Sequence, residues 1–124
     1  NLLFVAIGGS IGASLRYFFY LVSKSLLIPN YIFISTLIVN ILGSFLIGCI
    51  IMFLENKTAS QDFIKYFFII GILGSFTTFS TFSLEAIDLL VNKRFLLAFL
   101  YMFFSLSLCL LFTFLGLNLN KLIN

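Results

Sequence analysis

The sequence predicts an all-α membrane protein with four transmembrane helices, the third of them broken mid-membrane. Of its 124 residues, 62% are hydrophobic and 9% are charged, whereas soluble domains contain about 25% charged residues. The mean hydropathy is +1.23. So few charges cannot cover a water-exposed surface, and we therefore expect an integral membrane protein. The net charge of +3 is small and scattered along the chain, which does not favour a nucleic-acid partner.

Four apolar stretches are long enough to cross a bilayer, which takes about 20 helical residues. They cover about 2–22, 31–54, 63–91 and 95–117, and short polar loops connect them. We therefore expect a single four-helix transmembrane domain over 1–124, embedded in a lipid bilayer. The two cysteines, Cys49 and Cys109, lie inside apolar stretches and are interpreted as small packing residues rather than as a disulfide or a metal site.

The third span is too long for one straight crossing, and its centre holds Gly71, Gly74, Thr77 and Thr78. Glycines and paired threonines loosen a helix, so two half-helices are expected to meet near 74–79. The ends of half-helices present free backbone groups, which can bind ions. The alternative is a continuous kinked helix whose Ser and Thr hydroxyls bond to their own carbonyls.

The distribution of cations predicts a dimer of unusual topology. With four spans, the N-terminus, the second loop and the C-terminus share one side of the membrane. That side carries three cations and the other carries four: Lys57, Lys65 and Lys121 against Arg16, Lys24, Lys93 and Arg94. Orientation in a membrane is set by an excess of cations on one side, and here the excess is nearly absent. We expect an antiparallel dual-topology dimer; the alternative is a fixed orientation imposed by a partner.

Small residues occur at the spacing of helix contacts, in the pairs Gly8/Gly12, Gly9/Ala13 and Ser44/Gly48. Such pairs let helix backbones approach closely. The sequence leaves open whether they act within one subunit or between two.

Several polar residues are predicted to lie at membrane depth. Asn40 shares one helix face with Thr36 and Ser44, and such an amide needs either a partner helix or a watery lumen. Arg16, near the end of the first span, either extends its charge to the interface or makes a vestibule positive. Tyr101 and Ser105 form a hydroxyl face on the fourth span.

Phe79 and Phe82 follow the expected break and share one helix face, with Ser80 and Thr81 between them. A phenyl ring has a positive edge. Ring edges pointing into a narrow pore would attract a small anion without a fixed charge. Weak sites in series favour conduction over tight binding.

Three segments carry a resemblance to a known family. They read GGSIGASLRY at 8–17, TLIVNILGSF at 36–45 and GSFTTFSTF at 74–82. The chain resembles the CrcB/Fluc family of fluoride channels in these motifs, in the order of the motifs and in the length of the chain. The resemblance implies a dual-topology homodimer with two antiparallel pores. It implies passive fluoride export that relieves fluoride toxicity, in the cell membrane of a bacterium (the inner membrane), and no enzymatic activity.

The same resemblance implies roles for individual residues. The fluoride pore would be lined by Asn40, Phe79, Phe82, Ser80, Thr81, Tyr101 and Ser105. Arg16 would lie near the vestibule. Gly74 and Thr77 would give backbone carbonyls to a structural sodium ion at the dimer centre. Glu85 is expected to have no more than a vestibule or structural role.

There are two alternatives to this function. A small multidrug-type transporter also has four spans, but it needs a mid-membrane carboxylate in its first helix, and this first span contains none. Its aromatic drug cages usually include Trp, which is absent here. The second alternative is a subunit of an obligate heterodimeric channel, with a paralogue instead of a second copy as its partner.

Overall fold

The computed structural model describes residues 1–55 and 61–124, and the regular structure in these ranges is entirely helical. Four stretches are long and apolar enough to cross a membrane: Leu2–Leu26, Pro29–Glu55, Gln61–Val91 and Phe95–Leu117. The expected all-α architecture with four membrane-spanning helices is confirmed. The predicted second loop falls largely on residues 56–60, so Lys57 lies outside the described residues.

The first two spans are α1, Leu2–Leu26, and α2, Phe33–Glu55, with a 3-10 turn at Pro29–Tyr31 before α2. The first part of the third span, α3, covers 61–76 and is π-helical over Ile64–Leu73. It is followed by α4, Phe79–Val91. The fourth span is α5, Phe95–Leu117, and a short helix α6, Leu119–Ile123, follows it.

Between α3 and α4 the backbone is extended at two threonines. Thr77 has ψ 159° and Thr78 has φ −152° and ψ 124°. The hydroxyl of Thr78 then accepts a hydrogen bond from the Thr81 N–H at 3.2 Å and so caps α4. Threonine is a favoured residue at this position because its oxygen satisfies an N–H that the helix leaves unpaired. We call residues 77–78 the interruption.

Glycines set how closely the helices pack. α1 lies against α3, and α2 lies against α5. A Cβ atom at Gly8 would fall on the carbonyl of Phe67, and one at Gly116 would fall on the carbonyl of Phe45. Gly8 and Gly12 therefore make their contacts within one subunit, on the third span, and Gly48 does the same against Gly116. These close approaches bring both helix pairs into backbone contact.

The buried core lies between α4 and α5. Its members are Phe82, Ala86, Leu89, Ala98 and Tyr101, with Phe33 and Leu37 of α2 packed against them. Large apolar side chains elsewhere are exposed, as on the outer face of α5. A bilayer or a partner subunit can cover such a surface without cost in hydrophobic burial.

Candidate functional site

The central cleft is an open cavity of about 390 Å³ at the interruption, lined by residues of α2, α3, α4 and α5. Six of the predicted site residues line it: Asn40, Gly74, Thr77, Phe79, Phe82 and Ser105. They come from four separate elements, so only the folded chain brings them together. The remaining predicted residues lie elsewhere: Arg16 and Thr81 line a neighbouring cleft, Ser80 is exposed, and Tyr101 is buried behind Phe82.

The amide of Asn40 is paired with the backbone of the interruption. Its Nδ2 donates to the carbonyl of Thr78 at 3.0 Å, and its Oδ1 accepts from the Thr78 N–H at 2.9 Å. An amide side chain thus gives extended backbone the pair of hydrogen bonds that a neighbouring strand would give. Since a carboxamide nitrogen carries two hydrogens, this pairing uses one donor of Asn40 and leaves the second for another acceptor.

The same pairing changes the hydrogen bonding of the last turn of α3. In a continuous helix, the N–H of Thr78 would donate to the carbonyl of Gly74, and the N–H of Thr81 to the carbonyl of Thr77. Here the first N–H donates to Asn40 and the second to the Thr78 hydroxyl. The carbonyls of Gly74 and Thr77 thus lose their usual helical donors. Carbonyl oxygens in this situation are suitable ligands for a hard cation.

Phe79 and Phe82 lie on one side of the central cleft and differ greatly in exposure. Phe79 is 73% exposed in the single chain, whereas Phe82 is 8% exposed. Their ring centroids are 5.4 Å apart with an interplanar angle of 52°. Phe82 also meets the ring of Tyr101 at 5.1 Å in an edge-to-face arrangement. One ring is therefore fixed in the core, while the other stands at the opening of the cleft.

Ser105 carries a buried hydroxyl that has no hydrogen-bond partner among the described residues. The residue is 6% exposed and lines the central cleft with Asn40 and Phe82. A buried polar group without a partner costs free energy, and most such groups in proteins are satisfied. The Ser105 hydroxyl is therefore a free donor placed in an otherwise largely apolar cavity.

Tyr101 is directed at a carboxylate instead of the central cleft. Its hydroxyl donates to Oε2 of Glu85 at 2.7 Å, and the hydroxyl of Thr36 donates to Oε1 at 2.8 Å. These bonds join α2, α4 and α5 at one acid. The sequence held no signal for this arrangement, because Thr36 and Glu85 are 49 positions apart and no local pattern pairs the two side chains.

A second cavity of about 320 Å³, the arginine cleft, lies between α1, α2 and α4. Arg16, Thr81 and Glu85 line it, together with Thr78. Thr78 borders both cavities. The hydroxyl of Ser80 lies 3.3 Å from the hydroxyl of Thr78. The hydroxyls of Thr78, Ser80 and Thr81 at the start of α4 therefore lie near the boundary of the two cavities. The arginine cleft also contains one cation, Arg16, and one acid, Glu85.

Comparison with known proteins gives a consistent set of relatives. A family model described as CrcB-like protein, Camphor Resistance (CrcB), matches residues 3–117. A protein of Campylobacter hominis named Fluoride-specific ion channel FluC is 40% identical over 124 residues, covering 100% of this chain and 98% of its own. Proteins of the same name from Flavobacterium psychrophilum and Shewanella baltica are 38% and 45% identical, covering 98% and 94% of this chain and 97% and 92% of their own.

Proposed function

Because this chain belongs to the CrcB-like protein family, we propose that it is a fluoride-selective channel through which fluoride leaves the cell down its electrochemical gradient. Relatives that match almost the whole chain bear the name fluoride-specific ion channel. The structural observation that carries the proposal is the unpaired hydroxyl of Ser105, which shares a cleft with the Asn40 amide and two phenyl rings. These are weak, neutral partners for a small anion.

Fluoride in the central cleft would be bound by donors without formal charge. The second N–H of Asn40 and the O–H of Ser105 would each donate a hydrogen bond to it. The positive edges of Phe79 and Phe82 would supply further attraction. Because a fixed cation would hold the ion tightly, a series of weak sites is better suited to rapid passage.

The route would continue past the hydroxyls at the start of α4. Thr81 lines the arginine cleft, and Ser80 is exposed beside Thr78. Arg16 in that cleft would raise the local fluoride concentration at the vestibule, as a positive potential does for anions. Tyr101 would act from behind the pore, where its ring supports Phe82 and its hydroxyl bonds Glu85.

The working unit would be two copies in antiparallel orientation, with two pores. The 73% exposure of Phe79 supports a partner on this face, and the cation count of the sequence, which hardly favours either orientation, supports an antiparallel arrangement. A structural sodium ion at the dimer centre would take the carbonyls of Gly74 and Thr77, whose helical donors are engaged elsewhere. The ion would supply a positive charge that holds the two interrupted spans together.

In the cell, the protein would be a multi-pass protein of the plasma membrane, the inner membrane of a bacterium. Fluoride enters cells as neutral hydrofluoric acid and dissociates inside, so a passive route for the anion relieves its toxicity. Such transport breaks no covalent bond, and the protein would not be an enzyme.

Ion efflux from liposomes tests this function. The purified chain is reconstituted alone into vesicles loaded with potassium fluoride or potassium chloride, and a potassium ionophore starts the efflux. We expect rapid loss of fluoride with chloride retained, and neither ion lost from protein-free vesicles. Equal loss of both anions would refute selectivity. Retention of both would refute a self-sufficient channel and would favour a heterodimer if a paralogue restored the flux.

A further inference from the structure

Ser75 lies in the last turn of α3 on the side that contacts α1, and it is not among the residues that line the central cleft. Its hydroxyl oxygen is 2.9 Å from the carbonyl oxygen of Gly9 in α1. It is also 2.6 Å from the carbonyl of Gly71 and 3.4 Å from that of Ile72, both in its own helix. The side chain therefore reaches across a helix boundary immediately before the interruption.

The first helix provides a notch for this hydroxyl. A Cβ atom at Gly12 would lie 2.5 Å from the Ser75 oxygen and would also strike the carbonyl of Ile72. A Cβ atom at Gly9 would lie 3.9 Å from the same oxygen, which is ordinary contact. The missing side chain at Gly12 is thus what allows the hydroxyl to fit between the two helices.

This contact differs from those of other serines in the helices. Ser14 donates to the carbonyl of Ser10 at 2.7 Å, within its own helix. A hydroxyl has one proton, so Ser75 can donate to Gly71 or to Gly9, and only the second bond connects two helices. Hydrogen bonds between membrane helices average about 0.6 kcal/mol, which corresponds to a roughly three-fold change in an equilibrium.

The interruption makes such an external contact necessary. The N–H of Thr77 still donates to the carbonyl of Leu73 at 3.1 Å, but the N–H of Thr78 donates to Asn40 instead of continuing the helix, so the end of α3 must be held by its neighbours. Asn40 holds the interruption from the α2 side. From the α1 side, the carbonyl of Gly9 contacts the hydroxyl of Ser75. Ser75 lies one residue after Gly74 and two residues before Thr77.

We propose that Ser75 is a positioning residue, which fixes the last turn of α3 against α1 and so sets the place of Gly74, Thr77 and Phe79 in the pore. The inference rests on the proposed channel function. α1 contributes no side chain to the central cleft among the described residues, so its influence on the pore passes through α3. Ser75 is the polar contact between them, beside the apolar contact of Phe19 with Phe76.

Recording from channels in planar bilayers tests the inference with Ser75→Ala and the matched control Ser14→Ala. Both changes remove one helical hydroxyl, but only the first removes a bond between helices. We expect the time-averaged fluoride current per channel to fall about three-fold in Ser75→Ala and to match wild type in Ser14→Ala. A merely structural role would reduce the number of channels that incorporate and leave the current per channel unchanged.

A wild-type current per channel in Ser75→Ala would overturn the inference. A wild-type protein without fluoride current would instead overturn the proposed function, so the two failures can be told apart. If Ser75→Ala yields no channels, Ser75→Cys replaces it, because a thiol has similar size and is a weaker donor. A reduced current in Ser75→Cys would support the inference, and an unchanged current would contradict it.

Discussion

Asn40 lines the central cleft and also hydrogen-bonds the backbone of the interruption. One face of its amide satisfies both polar groups of Thr78, which would otherwise be unpaired within the membrane, where each such group costs several kcal/mol. The pairing also fixes which way the amide points, so that its remaining N–H is available to an ion. The structural role and the proposed pore-lining role of this residue are therefore connected, and a variant should affect both.

Replacing Asn40 by Asp should abolish fluoride efflux. The carboxylate can accept the Thr78 N–H but cannot donate to the Thr78 carbonyl, and its charge repels the anion. Two like charges 4 Å apart repel by about 4 kcal/mol in surroundings of intermediate dielectric constant, so a loss of more than about ten-fold is expected. Asn118→Asp is the control, since Asn118 lies outside the cleft, just after α5, and its side-chain amide donates to the nearby carbonyl of Phe114 at 2.8 Å. Efflux in Asn40→Asp equal to that control would contradict the assignment.

The two phenyl rings should respond differently to the same substitution. Phe79→Ile and Phe82→Ile each remove a positive ring edge but keep apolar bulk, so both should suppress fluoride efflux. Only Phe82→Ile should also lower thermal stability in detergent, because Phe82 is 8% exposed and packs on Tyr101 whereas Phe79 is 73% exposed. Phe103→Ile, at a 63% exposed position outside the cleft, serves as the control. Full efflux in both cleft variants would show that the ring edges do not contribute to fluoride conduction.

Ser105→Ala should slow fluoride efflux without lowering the stability of the fold. Its hydroxyl has no partner among the described residues, so its removal breaks no internal hydrogen bond and relieves a desolvation cost of about 1–3 kcal/mol. We expect unchanged or higher thermal stability together with several-fold slower fluoride efflux. Ser107→Ala, on another side of α5, should leave both properties at wild-type values. Wild-type efflux in Ser105→Ala would mean that the hydroxyl does not meet the ion.

Among the elements, the crossing of α1 with α3 should be sensitive to added volume. A methyl group at Gly12 would strike the Ile72 carbonyl and the Ser75 oxygen, whereas one at Gly9 finds nothing nearer than 3.9 Å. Gly12→Ala should therefore reduce the folded yield and the thermal stability, while Gly9→Ala should be neutral or slightly stabilising because alanine favours helix. The measurement is thermal unfolding in detergent. Equal behaviour of the two variants would contradict the close approach of α1 to α3 at Gly12.

The elements were largely predictable from the sequence, and their contacts were not. Hydropathy indicates four spans because each must be apolar over about 20 residues, and the structure confirms four such helices. The π-helical stretch Ile64–Leu73 is apolar apart from Lys65 and Tyr66 near its start, so no periodicity distinguished its winding. The pairing of Asn40 with Thr78 joins positions 38 apart. Such contacts follow from how helices dock, which local patterns do not encode.

For the candidate site too, the sequence indicated individual residues but not the contacts between helices. The sequence alone singled out Asn40 as a costly amide at membrane depth and Phe79 and Phe82 as two rings on one face after the expected break, and the structure places all three around one cleft. The sequence did not reveal that Tyr101 turns towards Glu85 or that Ser75 reaches Gly9. In both cases a common residue type gains its importance only from a neighbour on another helix.

For the molecule as a whole, the site is a surface feature of the single chain. The central cleft lies where Phe79, Leu106 and Leu110 are exposed, so a second subunit or lipid must complete its wall. An ion path bounded on one side by lipid would lack the polar contacts that replace water around the ion. The proposed antiparallel copy supplies a protein wall, and it accounts for the lack of a strong cation excess on either side of the sequence.

The reversal potential of the purified channel in a planar bilayer tests selective fluoride conduction most directly. Fluoride is set at a ten-fold gradient, with chloride making up the difference so that total anion and cation concentrations are equal on both sides. A fluoride-selective pore should reverse close to the fluoride equilibrium potential, about 59 mV in magnitude for one charge. A reversal potential near zero, which equal passage of fluoride and chloride would give, would contradict the account.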